Sequence, residues 1–328
     1  LATGTSYNFL LVPYTWDGVN ANTYNYLTAS APTASGTTTT VAPPTLSATS
    51  VSSITATTAV LGATLDADGG AAIVQRGIVY STSSPVNITS NTLDEGGTSL
   101  GAFSHVRSDL QPMTKYFFAG YAVNAGGSLA LSPQSSFFTL ASSPLAHATS
   151  LAATPISGTQ INLSWNAATF ANNPSAVNGY LVLRSAFPEV PGITNNNGQA
   201  PVAATGTTIL SSTALTSFSS TGLTGNTQYN YAIIPYSWNG VNDSTYAYLI
   251  NAAPSASATT FASAPVAQPT SLSFSNITCN GMTLTWRNAS TIPAGYLVLR
   301  SSGATAPDAD PVSGTEYSIG GTLGNATV

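Results

Sequence analysis

Residues 1–27, "LATGTSYNFLLVPYTWDGVNANTYNYL", align without a gap on residues 223–249, "LTGNTQYNYAIIPYSWNGVNDSTYAYL", and share 14 of the 27 positions. A repeat of this kind means that the fold is assembled from copies of one unit, each burying the same apolar positions. Along both copies, and along the chain between them, apolar and aromatic residues alternate with Ser and Thr over four to eight residues. Gly, Pro and Asn clusters separate these runs. The period is that of β-strands, and no helical period of any length competes with it. The expectation is an all-β chain of sandwiches.

Further repeats sharpen this. "GYLVLRS" occurs at 179–185 and again at 295–301, each time after an alternating segment that ends in Trp: "INLSWN" with Trp165 and "MTLTWR" with Trp286. A third version occupies roughly 43–140, with "AVLGATL" where the others carry the Trp segment. All versions share the spacing Leu-x-x-x-Thr-x-Tyr, at Leu1/Thr5/Tyr7, Leu110/Thr114/Tyr116 and Leu223/Thr227/Tyr229. This spacing lets the Leu enter a core ahead of the strand while the Tyr hydroxyl bonds back to the approaching backbone.

The stretches "LSWN…GYLVLRS…GLTGNTQYNYAIIPY" and "LQPMTKYFFAGYAVNAGG" resemble fibronectin type III domains, in the variants found as tandem arrays in surface and secreted proteins of Bacteroidetes-like bacteria. The resemblance covers nearly the whole chain. It implies seven-strand, two-sheet immunoglobulin-like sandwiches, with Trp165 and Trp286 as core residues of the second strand and Tyr7, Tyr116 and Tyr229 as corners of the sixth. The middle version departs from the pattern by lacking the Trp.

Pro-rich joints near 33–45, 141–149 and 262–270 divide the chain into 1–40, the end of a domain (its sixth and seventh strands); 41–142 and 143–263, two complete domains; and 264–328, the beginning of a fourth. Short joints stiffened by Pro predict an extended rod. The two incomplete ends are complementary, so a 1–40-type segment of a neighbouring or continuing chain is expected to complete 264–328. Joined, they lack a counterpart of "LTSFSSTG" at 215–222. Two readings stay open: strand donation between short subunits that tolerates this gap, and a window of a longer repetitive polypeptide. Any export signal is expected outside this sequence.

Only 5% of the 328 residues are charged and the net charge is −5. Six Lys plus Arg cannot neutralise a phosphate backbone, which argues against nucleic acid as partner. No apolar run is long enough to span a bilayer. A neutral surface rich in Ser, Thr and Asn suits lateral association, a coat of sugars and an extracellular or cell-surface location. Cys279 is the single cysteine; it excludes an internal disulfide and is expected as a small buried residue on a strand.

Catalysis needs converging titratable groups, and the chain offers His105, His147, eleven carboxylates and no catalytic motif. No enzyme activity, cofactor or metal is expected. Asp66 and Asp68 in "LDADGG", and Asp308 and Asp310 near Glu316, read better as turn chemistry than as calcium ligands. The candidate contact residues are Trp16 and Trp238 in "PYTWDGVN" and "PYSWNGVN", which either pack beside Tyr24/Tyr26 and Tyr246/Tyr248 or serve subunit contact or stacking on glycans. Ser244 and Thr245, after Asp243, form a candidate O-glycosylation site; Asn87, Asn162, Asn276, Asn288 and Asn325 stand in bare sequons.

The functional expectation is a structural subunit or segment of a bacterial filament, sheath or surface fibre that associates with itself through stacked domains. The alternatives are an adhesin stalk or glycan-binding module that recognises polysaccharide, and an accessory array of a secreted polysaccharide-degrading enzyme.

Overall fold

A computed structural model describes the backbone of all 328 residues and every side chain except that of Leu93. Two compact units divide the chain: Leu1–Ser142 with Trp238–Tyr246, and Ser143–Ser237 with Ala247–Val328.

The first unit opens with a hairpin. Strand β1 (Ser6–Leu10) runs through β2 (Tyr14–Thr15) and β3 (Asn25–Tyr26) to β4 (Thr33–Thr37). β1 pairs antiparallel with β4, from Ser6 opposite Thr37 to Leu10 opposite Thr33, and β2 pairs with β3. A sandwich follows, of β5 (Thr45–Ser52), β6 (Ala59–Ala67), β7 (Ile73–Ser81), β8 (Asn91–Asp94), β9 (Gly101–Arg107), β10 (Lys115–Asn124), β11 (Leu129–Leu131) and β12 (Ser135–Phe138). One sheet has the order β5-β6-β9 and the other β11-β10-β7-β8, with β12 also on β10.

Its core lies between the sheets, where Leu61, Leu65, Ile78 and Phe118 are fully buried. Alternation explains this, since every second residue of β6 from Ala59 to Leu65 faces inward. The missing Trp is explained by backbone approach. A Cβ added to Gly120 would stand 2.3 Å from the Cβ of Ala63, so the sheets meet here through small residues. This space takes no indole.

The second unit contains β13 (Thr149–Pro155), β14 (Ile161–Asn166), β15 (Val177–Ala186), β16 (Thr207–Thr213), β17 (Ser217–Ser220), β18 (Gln228–Trp238, all but its last residue), β19 (Ala247–Tyr248) and β20 (Ser255–Thr259). Its sheets repeat the first arrangement: β13-β14-β17 against β16-β15-β18-β19, with β20 on β18. Both are three-strand sheets facing larger ones, the two-sheet sandwich that the resemblance implies. The chain is therefore all-β, with tandem fibronectin type III-like sandwiches. Among the described residues, no helix is long and apolar enough to cross a membrane.

Residues 264–328 form β21 (Thr270–Ser275) paired with β22 (Thr283–Arg287), and a small hairpin of β23 (Thr322–Leu323) and β24 (Ala326–Thr327). Cys279 is not buried on a strand as expected. It is exposed, in the turn between β21 and β22 that Thr278 N–H closes on the Gly281 carbonyl at 2.8 Å.

Candidate assembly interface

The Leu-x-x-x-Thr-x-Tyr spacing builds the same corner three times. The N–H of Ala2, Gln111 and Thr224 donates to the hydroxyl of Tyr7, Tyr116 and Tyr229 at 2.5, 2.9 and 3.0 Å. Beside each, a Thr hydroxyl ties the end of the neighbouring strand to the same turn. Thr38, Thr139 and Thr260 accept from Thr5, Thr114 and Thr227 N–H, and donate to the carbonyls of Ala2, Gln111 and Thr224 at 2.6 Å. Residues 1–43 thus repeat 223–265 in register, down to the left-handed backbone at Ser30 and Ala252, with φ of 55° and 61°.

What closes around that local structure differs. Between the sheets of the second sandwich, Trp165 is 5% exposed, and Tyr231 and Ile233 are fully buried. The core also holds Ala148, Leu163, Tyr180, Val182 and Leu223, with Leu151 and Tyr229 packed on it. Trp165 meets Tyr180 edge-on at 5.6 Å and 72°, and the Tyr180 hydroxyl accepts from Ala168 N–H at 2.8 Å.

Residues 264–328 repeat part of the same core. Trp286 meets Tyr296 at 5.5 Å and 73°, and the Tyr296 hydroxyl accepts from Ala289 N–H at 2.9 Å. Yet Trp286, expected in a core, is 36% exposed. It lines a groove of about 270 Å³ with Pro269, Leu272, Leu284, Tyr296 and Val298, among others. By the repeat these match Trp165, Ala148, Leu151, Leu163, Tyr180 and Val182, the walls of the closed core. The four further residues that close it, Leu223 ahead of β18 and Tyr229, Tyr231 and Ile233 on β18 beside β15, match Leu1, Tyr7, Phe9 and Leu11. Of these, Phe9 is 56% and Leu11 73% exposed, and Leu1 lies in solvent.

The aromatic loops adopt one shape. Trp16 stacks on Tyr24 at 4.8 Å and 7°, and Trp238 on Tyr246 at 4.5 Å and 9°, so each Trp lies on the Tyr of its own loop. A stack of Trp16, Tyr24 and Tyr26 continues in the first copy, where Trp16 and Tyr26 are exposed. In the second, Tyr246 and Tyr248 are buried, and Asn197 accepts from Tyr248 N–H. Of the glycosylation candidates, Ser244 is exposed. Thr245 is fully buried, its hydroxyl donating to the Asn242 carbonyl and accepting from Asn239 N–H.

The acidic pairs are engaged locally: Asp66 accepts from Ser47, Asp68 from Gly70 N–H and Asp308 from Asn325 N–H. His147 Nε2 lies 2.6 Å from the Asn251 carbonyl. Among the described residues, no group of three His, Cys, Asp or Glu side chains comes together. The densest charge is in the first sandwich, where burial pushes the Glu95 carboxyl up while nearby His105, Arg76 and Arg107 pull it down. Burial likewise lowers the Arg107 guanidinium from its ordinary value.

No family model and no curated protein matches the sequence. Among solved structures, the crystal structure of chicken CNTN1 FN1–FN3 domains is similar over 80% of this chain and 79% of that one. Identity is 14% and the TM-score 0.32. The sandwich assignment therefore stands on the strand order and cores described above.

Proposed function

We propose that this chain is a structural subunit or segment of an extracellular filament, sheath or surface fibre, in which hairpin β1–β4 of one copy enters the open half-sandwich of residues 264–328 in a second copy. In this reading 1–40 and 264–328 are two parts of one domain type, flanking complete domains at 41–142 and 143–263. A single observation carries it. The groove at Trp286 has the walls of the closed core around Trp165, and three of the four residues that close that core have exposed counterparts, Leu1, Phe9 and Leu11, on β1 and at its two ends.

Magnitudes favour association. Burying the three exposed side chains Leu1, Phe9 and Leu11 contributes roughly 4.5–9 kcal/mol at about 1.5–3 kcal/mol each, against an association cost of about 4–15 kcal/mol. A new backbone ladder along 295–301 adds about 0.5–1.5 kcal/mol per bond, enough to decide the balance. The contact is heterologous, each copy offering a hairpin at one end and a groove at the other, so it propagates into a filament. A surface with 5% charged residues opposes such contact only weakly.

Sedimentation and electron microscopy of the purified chain test this. Concentration-dependent filaments are expected, and a variant with Phe9→Asp and Leu11→Asp is expected to stay monomeric with both sandwiches folded. A wild-type chain that is monomeric at every concentration, or a variant that assembles as well as wild type, contradicts the proposal.

A further inference from the structure

Within the first compact unit, the segment Trp238–Tyr246 lies with residues 1–142, and Ala141 N–H donates to the Thr245 carbonyl at 2.8 Å. The loop that follows β18 is thus bonded to the joint that precedes its own domain. Its shape is set locally. The Asn239 side chain accepts from Val241 and Asn242 N–H at 2.9 and 2.7 Å, and the Asn242 side chain accepts from Ser244 N–H at 2.9 Å.

The loop at 16–24 has this shape already, although its residues 16–23 are exposed. The Asp17 carboxylate accepts from Val19 and Asn20 N–H at 3.0 and 2.8 Å, and the Asn20 side chain accepts from Asn22 N–H at 3.1 Å. Thr23, the counterpart of Thr245, is exposed, and among the described residues no donor reaches its carbonyl. The joint also has a second copy. Residues 139–150 align without a gap on 260–271 and share seven of twelve positions, including Ala141 with Ala262 and left-handed Ser150 with Ser271, at φ of 54° and 57°. Ala262 is exposed, and among the described residues its N–H has no acceptor.

We infer that the Trp16–Tyr24 loop is a second docking surface for a neighbouring copy of this chain, receiving the joint at Ala262 with Ala262 N–H donating to the Thr23 carbonyl. This rests on the fibre reading and extends it. The hairpin closes the core of the next copy, and the loop bonds the joint ahead of that core. A stacked Trp–Tyr face of fixed shape suits such a contact, because little side-chain freedom is lost on docking.

The test compares the concentration at which full chains assemble. Replacing Trp16 and Tyr24 together by Ala is expected to raise it about tenfold, because each is a large aromatic contact of the kind that dominates interfaces. Ala262→Pro, which removes the donor from the other side, is expected to do the same. Combining all three changes in one chain is expected to cost no more than either set alone, since both break one contact. Trp16 is partly exposed and Ala262 exposed, and a circular dichroism melt of each variant checks that the sandwiches persist. Unchanged assembly, fully additive effects, or unchanged assembly with loss of retention on a polysaccharide matrix overturns this inference alone. A wild-type chain that never assembles removes the fibre reading with it.

Discussion

The seven residues "GYLVLRS" occur twice and behave differently. At 179–185 they form most of β15, paired with β16 on one side and β18 on the other. At 295–301 they form no strand, and only Arg300 bridges to Thr327. Local propensity is identical, so neighbours make the difference. At 179–185 β18 lies alongside, carrying Tyr231 and Ile233 into the core; beside 295–301 the face is open. Identical sequence becomes strand only where a ladder and an apolar lid reward its order. The hairpin 6–37 teaches the converse, since its corner, register and aromatic loop form without a sandwich around them.

Truncating matched positions should give the largest contrast. Trp165→Ala is expected to cost about 3–5 kcal/mol in denaturant unfolding of its sandwich. Trp286→Ala in the unassembled chain should cost clearly less, about 2 kcal/mol or below, because Trp286 is already 36% exposed and leaves no closed cavity. Equal costs would mean that residues 264–328 are closed in the isolated chain.

The corners give a smaller contrast. Tyr229→Phe removes one exposed hydrogen bond from a ring packed on the core and is expected to cost about 0.5–1 kcal/mol. Tyr7→Phe should leave unfolding of the unassembled chain unchanged and weaken assembly, as read by sedimentation.

The smallest effect separates the two aromatic loops. Backbone bonds from Asn20 and Val19 hold the Asp17 carboxyl below the ordinary value of 3.8. A depressed carboxylate supports its loop fully above pH 3.8 and loses that support as pH falls through its lowered value. Asn239 makes the same two bonds with no titrating group. Trp fluorescence should therefore change below pH 3.8 in wild type, and the change should disappear in Asp17→Asn.

Much of this was legible in sequence because it is local or repeated. The three Tyr corners follow from spacing and the core place of Trp165 from the family resemblance, whereas spacing alone left open whether Trp16 and Trp238 stack on Tyr24 and Tyr246 or serve an outside contact. What spacing does not carry is whether a partner surface is present. Trp286 reads like Trp165, and its exposure depends on strands that lie elsewhere. Likewise, the buried carbonyl of Thr245 depends on Ala141, over a hundred residues away in sequence. Cys279 was missed for a simpler reason: "ITCNG" looks like strand until the turn closed by Thr278 and Gly281 is seen.

The central claim is that residues 295–301 become a strand when hairpin 6–37 of another copy lies beside them. Hydrogen exchange at Tyr296–Leu299, followed by mass spectrometry over a concentration series, tests it most directly. The account predicts little protection in dilute chains, protection approaching that of Tyr180–Leu183 as chains assemble, and none at any concentration in the Phe9→Asp, Leu11→Asp variant. Protection that is already full at high dilution, or that never develops in assembled chains, would contradict it.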